Sequence, residues 1–227
     1  MTATGCPPTL LAVAHGTRSP VGQAQMRDLL AAVVARRPLL DVRLSYVDVQ
    51  QPRLNEAAAV LTGPAIAVPL LLTSGHHLRV DIPSGLAGTA AVASPPLGPD
   101  PRLVELLHLG LRKAGALDAV VLAAAGSTDP RARAEVDAVA DAVSRHISVP
   151  VRVGYASAST PRVPEVVAGL RACGARRVAV GAYLLVDGLF YRSLYRAGAD
   201  AVTAPLATGD AVVDLVLNRY DDMLRRG

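Results

Sequence analysis

Three short stretches hold the side chains best suited to chemistry. His15 stands in LLAVAHGTRSP, Asp48 in VRLSYVDVQQPRL, and the neighbours His76 and His77 in TSGHHLRVDIP. Imidazole takes up a proton near neutral pH and ligates metals. Imidazole and carboxylate together suit borderline divalent cations. Proton transfer or metal binding is therefore the chemistry to look for. Adjacent side chains diverge, so one of His76 and His77 is expected to face a shared cleft. Asp81 can orient a histidine or cap a helix starting at Ile82. The cap is the favoured role, because Pro83 suits the first helical positions. For Asp48, turn former and ligand both stay open. His15 could instead cap the helix that follows it, where Thr17 and Ser19 are also candidate caps. His108 reads as packed on a helix. His146 lies near a helix C-terminus, where the dipole favours a cation. Other chemistries lack their signatures: the chain has no C-x-x-C, no phosphate-binding glycine loop and no G-x-S-x-G elbow.

These residues are carried by a sequence written twice. LLAVAHGTRSP, VRLSYVDVQQPRL and AIAVPLLLTSG are answered by VVLAAAGSTDP, VRVGYASASTPRV and RVAVGAYLLVDG. The offsets are 110 residues (His15 to Ala125), 109 (Asp48 to Ser157) and 113 (Gly75 to Gly188). A repeat this long means two similar domains rather than a solenoid. They are expected to span residues 1–115 and 116–227. The second copy carries Ala125, Ser157 and Phe190 where the first has His15, Asp48 and His77. The scaffold therefore does not require those three polar groups.

Each copy alternates strands and helices. Continuous apolar runs such as TLLAVA suit strands buried on both faces of a parallel sheet. The spacing predicts strands at 9–14, 42–47, 65–72 and 90–94, with helices at 20–36, 52–61, 82–88 and 102–114. The second copy repeats this order, with strands at 119–124, 150–155, 177–185 and 200–203 and helices at 131–146, 162–173, 189–197 and 209–225. The fold class expected is α/β: two tandem domains, each a mostly parallel sheet flanked by helices, with the active-site cleft between them. Ligands of such sheets bind at the carboxyl ends of the strands. His15, Asp48 and His77 follow three successive strands and should share one edge.

Composition bounds the partners. The net charge is +4, and charged residues make up only 19% of the 227. No basic cluster interleaves with aromatics, so no nucleic-acid partner is expected, and a small anionic ligand suits the balance better. No apolar run reaches membrane-spanning length, and the N-terminal MTATGCPPT does not read as a secretory signal. Cys6, in a terminus expected to be disordered, and Cys173, at a helix end before Gly174, are the cysteines. The expected location is the cytoplasm.

At HGTR (15–18), SYVDVQQPRL (45–54) and VPLLLTSGHHLRVDIP (68–83) the chain resembles the sirohydrochlorin chelatase family, class II ATP-independent enzymes that insert a divalent metal into a tetrapyrrole. The order and spacing of the segments match as well. The resemblance implies a chelatase-like fold in its long, two-domain form, with the single site kept in the N-terminal half. It implies that His15 and His77 act as catalytic and metal-facing residues, His77 being the histidine four residues before Asp81. Asp48 falls where the family usually carries Glu, and is one methylene shorter as a metal ligand. Arg18, Arg53 and Arg79, with His76, become candidates for binding the carboxylate-rich sirohydrochlorin. The reaction expected is Fe²⁺ insertion, with no cofactor beyond the metal substrate and with the protein a monomer. Cobalt insertion, or a carrier that binds without turnover, are the alternatives.

Overall fold

Strand β1 (Thr9–Ala14) shows why the apolar runs become strands. Its Leu10, Ala12 and Ala14 face one hydrophobic cluster, and Leu11 and Val13 face another on the opposite side. A strand covered on both faces has no position for a polar side chain. The computed structural model describes residues 7–226, and Cys6 lies outside them.

The first repeat continues as α1 (Pro20–Arg36), β2 (Val42–Tyr46), α2 (Leu54–Ala59), β3 (Ala65–Pro69), α3 (Ile82–Leu86), β4 (Ala91–Ala93) and α4 (Pro101–Lys113). The second runs β5 (Ala119–Ala124), α5 (Pro130–Ser144), β6 (Val151–Tyr155), α6 (Val163–Ala172), β7 (Val178–Tyr183), α7 (Leu189–Leu194), β8 (Ala201–Val202) and α8 (Asp210–Leu224). Two four-stranded parallel sheets result, in the orders β2-β1-β3-β4 and β6-β5-β7-β8. Both expectations, the α/β class and the two similar domains, are met. Ser19 caps α1, its hydroxyl accepting from the Gly22 N–H, a bond typically worth about 1 kcal/mol. The second helix starts two residues later than Pro52 suggested, at Leu54, with the Glu56 carboxylate accepting the Arg53 N–H at 2.8 Å.

Helices α2 and α3 cover the outer face of the first sheet, and α6 and α7 that of the second. The inner faces are closed by exchange. Helix α4, from the first repeat, packs on β7 of the second sheet, and α8, from the second repeat, packs on β3 and α1 of the first. A single core therefore runs from Leu10 and Met26 through Leu103 and Leu107 to Leu122, Leu215 and Val216.

The backbone repeats as closely as the elements. Gly16 (φ 95°) and Gly126 (φ 97°) take the left-handed conformation directly after β1 and β5. A Cβ at either would collide with a carbonyl, that of Asp48 or Ser157 respectively. Val49 (φ 64°) and Ala158 (φ 48°) are left-handed at matched positions as well. This conformation is costly for a β-branched residue. Because it recurs in the copy without histidines, it serves the loop that crosses the sheet edge rather than the chemistry.

The shared core makes a cooperative prediction. Leu107 is fully buried between the sheets, so Leu107→Ala should destabilise the protein by about 3 kcal/mol. Urea unfolding followed by circular dichroism should still show one transition. Two separated transitions would mean that the halves fold independently.

Candidate active site

Both sheets turn their carboxyl edges to one cleft of about 840 Å³, walled by residues of both repeats. In the order β2-β1-β3-β4 the chain reverses direction between β1 and β3, and crevices open at such a reversal. His15 follows β1, and His77 lies in the loop after β3. Their ring centres are 4.7 Å apart and their planes nearly perpendicular, at 81°.

Each ring is held by its Nδ1. That of His15 lies 3.1 Å from the Gly16 carbonyl, and that of His77 lies 2.5 Å from the Asp81 carboxylate. Both partners are acceptors, so each Nδ1 carries the hydrogen when the imidazole is neutral. The lone pair then sits on Nε2, which has no hydrogen-bond partner among the described residues. This is the usual way a ligating or basic histidine is oriented.

Asp81 thus holds His77 instead of capping a helix, correcting the favoured expectation. Helical backbone begins at His76, followed by a wide π turn over His77–Asp81 in which the Ile82 N–H donates to the His77 carbonyl. Asp81 lies inside that turn rather than ahead of it, and its side chain makes no capping bond. Capping of α1 falls to Ser19, which leaves His15 free of that role.

The other candidate residues divide. His76 lines the cleft with 68% of its side chain exposed, against 36% for His77. Arg18 lines the cleft and makes no ion pair among the described residues. Asp48 donates its backbone N–H to the His15 carbonyl at 3.1 Å but does not line the cleft: its carboxylate lies 3.0 Å from the Arg53 guanidinium and is 57% exposed. It follows β2, one strand outside the crevice. The Val49 N–H first, and then Arg53, hold its carboxyl below the usual range. Among the described residues no three His, Cys, Asp or Glu side chains converge to hold a metal. Arg53 also donates to the Val47 carbonyl, at 3.1 Å. Arg79 bridges the repeats to Asp129 at 2.9 Å. Neither Arg53 nor Arg79 lines the cleft.

Sequence reading missed the polar wall contributed by the second repeat. Asp187, with 13% of its side chain exposed, accepts from Arg192 Nε at 2.8 Å and from the Ser19 hydroxyl. Arg192 also donates to Ser19 Oγ at 2.9 Å. The Asp187 N–H donates to Gln25, and the Ser74 N–H donates to Glu135, each at 2.7 Å. Gln25 and Glu135 are repeat equivalents, as are Ser74 and Asp187, and Arg79 and Arg192. Aligning every polar residue of the repeat, rather than the histidines alone, would have exposed this set. Arg133 lines the same cleft, as do Ala125, Ser157 and Phe190.

A family model described as CbiX matches residues 9–114 and again residues 119–223. The sirohydrochlorin ferrochelatase of Bacillus subtilis is 25% identical over 202 residues, which is 82% of this chain and 77% of that one. The sirohydrochlorin cobaltochelatase of Sulfolobus acidocaldarius is 29% identical over 113 residues, 46% of this chain and 90% of its own. The structure of SirB from Bacillus subtilis with Fe³⁺ has the same fold, with a TM-score of 0.79 at 22% identity over 95% of both chains.

The Asp81 contact generates a prediction that needs no turnover. In ¹⁵N NMR of the neutral imidazole, His77 should be the Nδ1–H tautomer. Asp81→Ala should shift it toward the mixture seen in free histidine and weaken Co²⁺ binding by about 10- to 100-fold. An unchanged tautomer would mean that Asp81 does not orient the ring.

Proposed function

We propose that this chain, which belongs to the CbiX family, is a sirohydrochlorin ferrochelatase, inserting Fe²⁺ without nucleotide hydrolysis. At the coarser level it is a class II sirohydrochlorin chelatase, a lyase. Iron is the finer reading, supported by the Bacillus subtilis ferrochelatase, which aligns across both repeats. Cobalt is the second reading, favoured by the cobaltochelatase that matches half of the chain. Imidazole ligands accept either ion.

The observation that carries the proposal is the His15–His77 pair, with both Nδ1 atoms tied and both Nε2 atoms unengaged, in a cleft walled by both repeats. Two nitrogens hold a divalent cation loosely enough to surrender it. The free macrocycle must lose two pyrrole N–H protons as the metal enters, and a neutral Nε2 can take up such a proton. One M²⁺ enters the ring and two H⁺ leave, so charge balances without a redox step. Arg18, Arg133 and Arg192 stand around the cleft and are suited to substrate carboxylates. Arg53 and Arg79 lie outside the cleft lining, and of the three that line it Arg192 is held by Asp187 and Ser19 whereas Arg18 makes no ion pair among the described residues. Phe190, the repeat equivalent of His77, offers an aromatic face to the macrocycle. No described helix is long and apolar enough to cross a membrane. A cytoplasmic monomer fits this reading, since one chain supplies both walls and a reducing compartment keeps iron as Fe²⁺.

The test is absorption-monitored metal insertion into sirohydrochlorin with Fe²⁺ and with Co²⁺. His77→Ala should lower the rate by about 100-fold, and His76→Ala should leave most of it. Equal losses, or a greater loss from His76→Ala, would reassign the site by one residue. A wild-type rate no faster than the spontaneous reaction would identify a carrier instead.

A further inference from the structure

Two of the chain's five histidines lie outside the cleft, and they lie together. His108 is on α4 and His146 follows the end of α5, the two helices that pack where the first repeat crosses onto the second sheet. Their ring centres are 5.3 Å apart with the planes tilted by 38°. The Nδ1 of His108 is buried and has no hydrogen-bond partner among the described residues. A buried ring nitrogen normally finds a donor or an acceptor. The His146 ring is exposed, and its backbone is fixed by an N–H donated to the Val143 carbonyl at 2.9 Å.

We propose that His108 and His146 form a second metal site, a bis-imidazole clip for a borderline divalent cation of the Zn²⁺ class. The geometry is the first support. With metal–nitrogen bonds of about 2.0–2.1 Å and a tetrahedral angle, two imidazoles on one ion place their ring centres about 5 Å apart. The second support is the orphaned nitrogen, which a cation would satisfy. Exposure of His146 leaves the remaining positions open to water, so the site is labile and accessible from solvent. Its place in the fold decides its effect. It joins α4 of the first repeat to α5 of the second, so an ion there ties the exchanged helix to the sheet that it covers. The site does not depend on the chelatase reading.

The chain's composition makes the test clean. An untagged His15→Ala/His76→Ala/His77→Ala variant retains only His108 and His146. Calorimetric titration with Zn²⁺ should give one ion per chain, and the melting temperature should rise by roughly 5 °C at a hundredfold excess over the dissociation constant. Adding His146→Ala, at an exposed position that does not threaten folding, should weaken binding at least about tenfold and abolish the shift. Absence of Zn²⁺ binding in the triple variant would overturn the proposal. So would binding that survives His146→Ala, because the cysteines or adventitious surface groups would then be the ligands.

Discussion

The exchange of α4 and α8 between the two sheets is the constraint on which everything else rests. Each repeat leaves one face of its sheet uncovered by its own helices, and the other repeat's last helix helps close it. The apolar groups of β1, β3, β5 and β7 thus enter one continuous core. Hydrophobic burial is non-directional, but this connectivity gives it a direction: neither sheet can be buried unless its partner is in place. The relative orientation of the sheets is thereby fixed, and their carboxyl edges meet across the cleft.

Polar contacts at the cleft then refine what the core imposes. Arg79 with Asp129, and Arg192 with Ser19 and Asp187, are related by the internal repeat, as are the bonds to Gln25 and Glu135. Exposed ion pairs contribute little individually. Asp187 is largely buried and fully engaged, so its loss would cost more than that of a surface pair. The site chemistry sits inside this symmetric frame and breaks the symmetry. Equivalent loops begin at His15 and Ala125, and His77 and Phe190 occupy matched positions of the two repeats. One wall carries the two histidines with Arg18, and the other carries Phe190 with Arg133 and Arg192.

Much of this was legible in the chain. TLLAVA and VVLAAA have the length and apolar continuity of doubly buried strands, and the strand–helix alternation placed His15 and His77 on one edge. The less legible features depended on neighbours remote in sequence or on fine backbone geometry. Nothing in PRLVELLHLGLRK says which sheet the helix will cover, because an amphipathic stripe carries no address. Asp81 does not cap because helical backbone starts at His76 and runs through a π turn over His77–Asp81, and apolar periodicity does not report such a turn. Asp48 follows a strand as His15 does. Whether its carboxylate lines the cleft depends on strand order, β2 lying outside the β1–β3 crevice. Arg79 looked available for substrate because its partner, Asp129, lies 50 residues away.

In the proposed site two imidazoles, and no carboxylate, hold the metal on the protein side of the cleft. The most direct measurement is a crystal structure of the Co²⁺-loaded protein with the ion located by anomalous scattering. A peak is expected in the cleft about 2.0–2.2 Å from Nε2 of both His15 and His77, with Asp48 still paired to Arg53. A cleft peak bound by only one of these histidines, or one with Asp48 drawn in as a ligand, would contradict it.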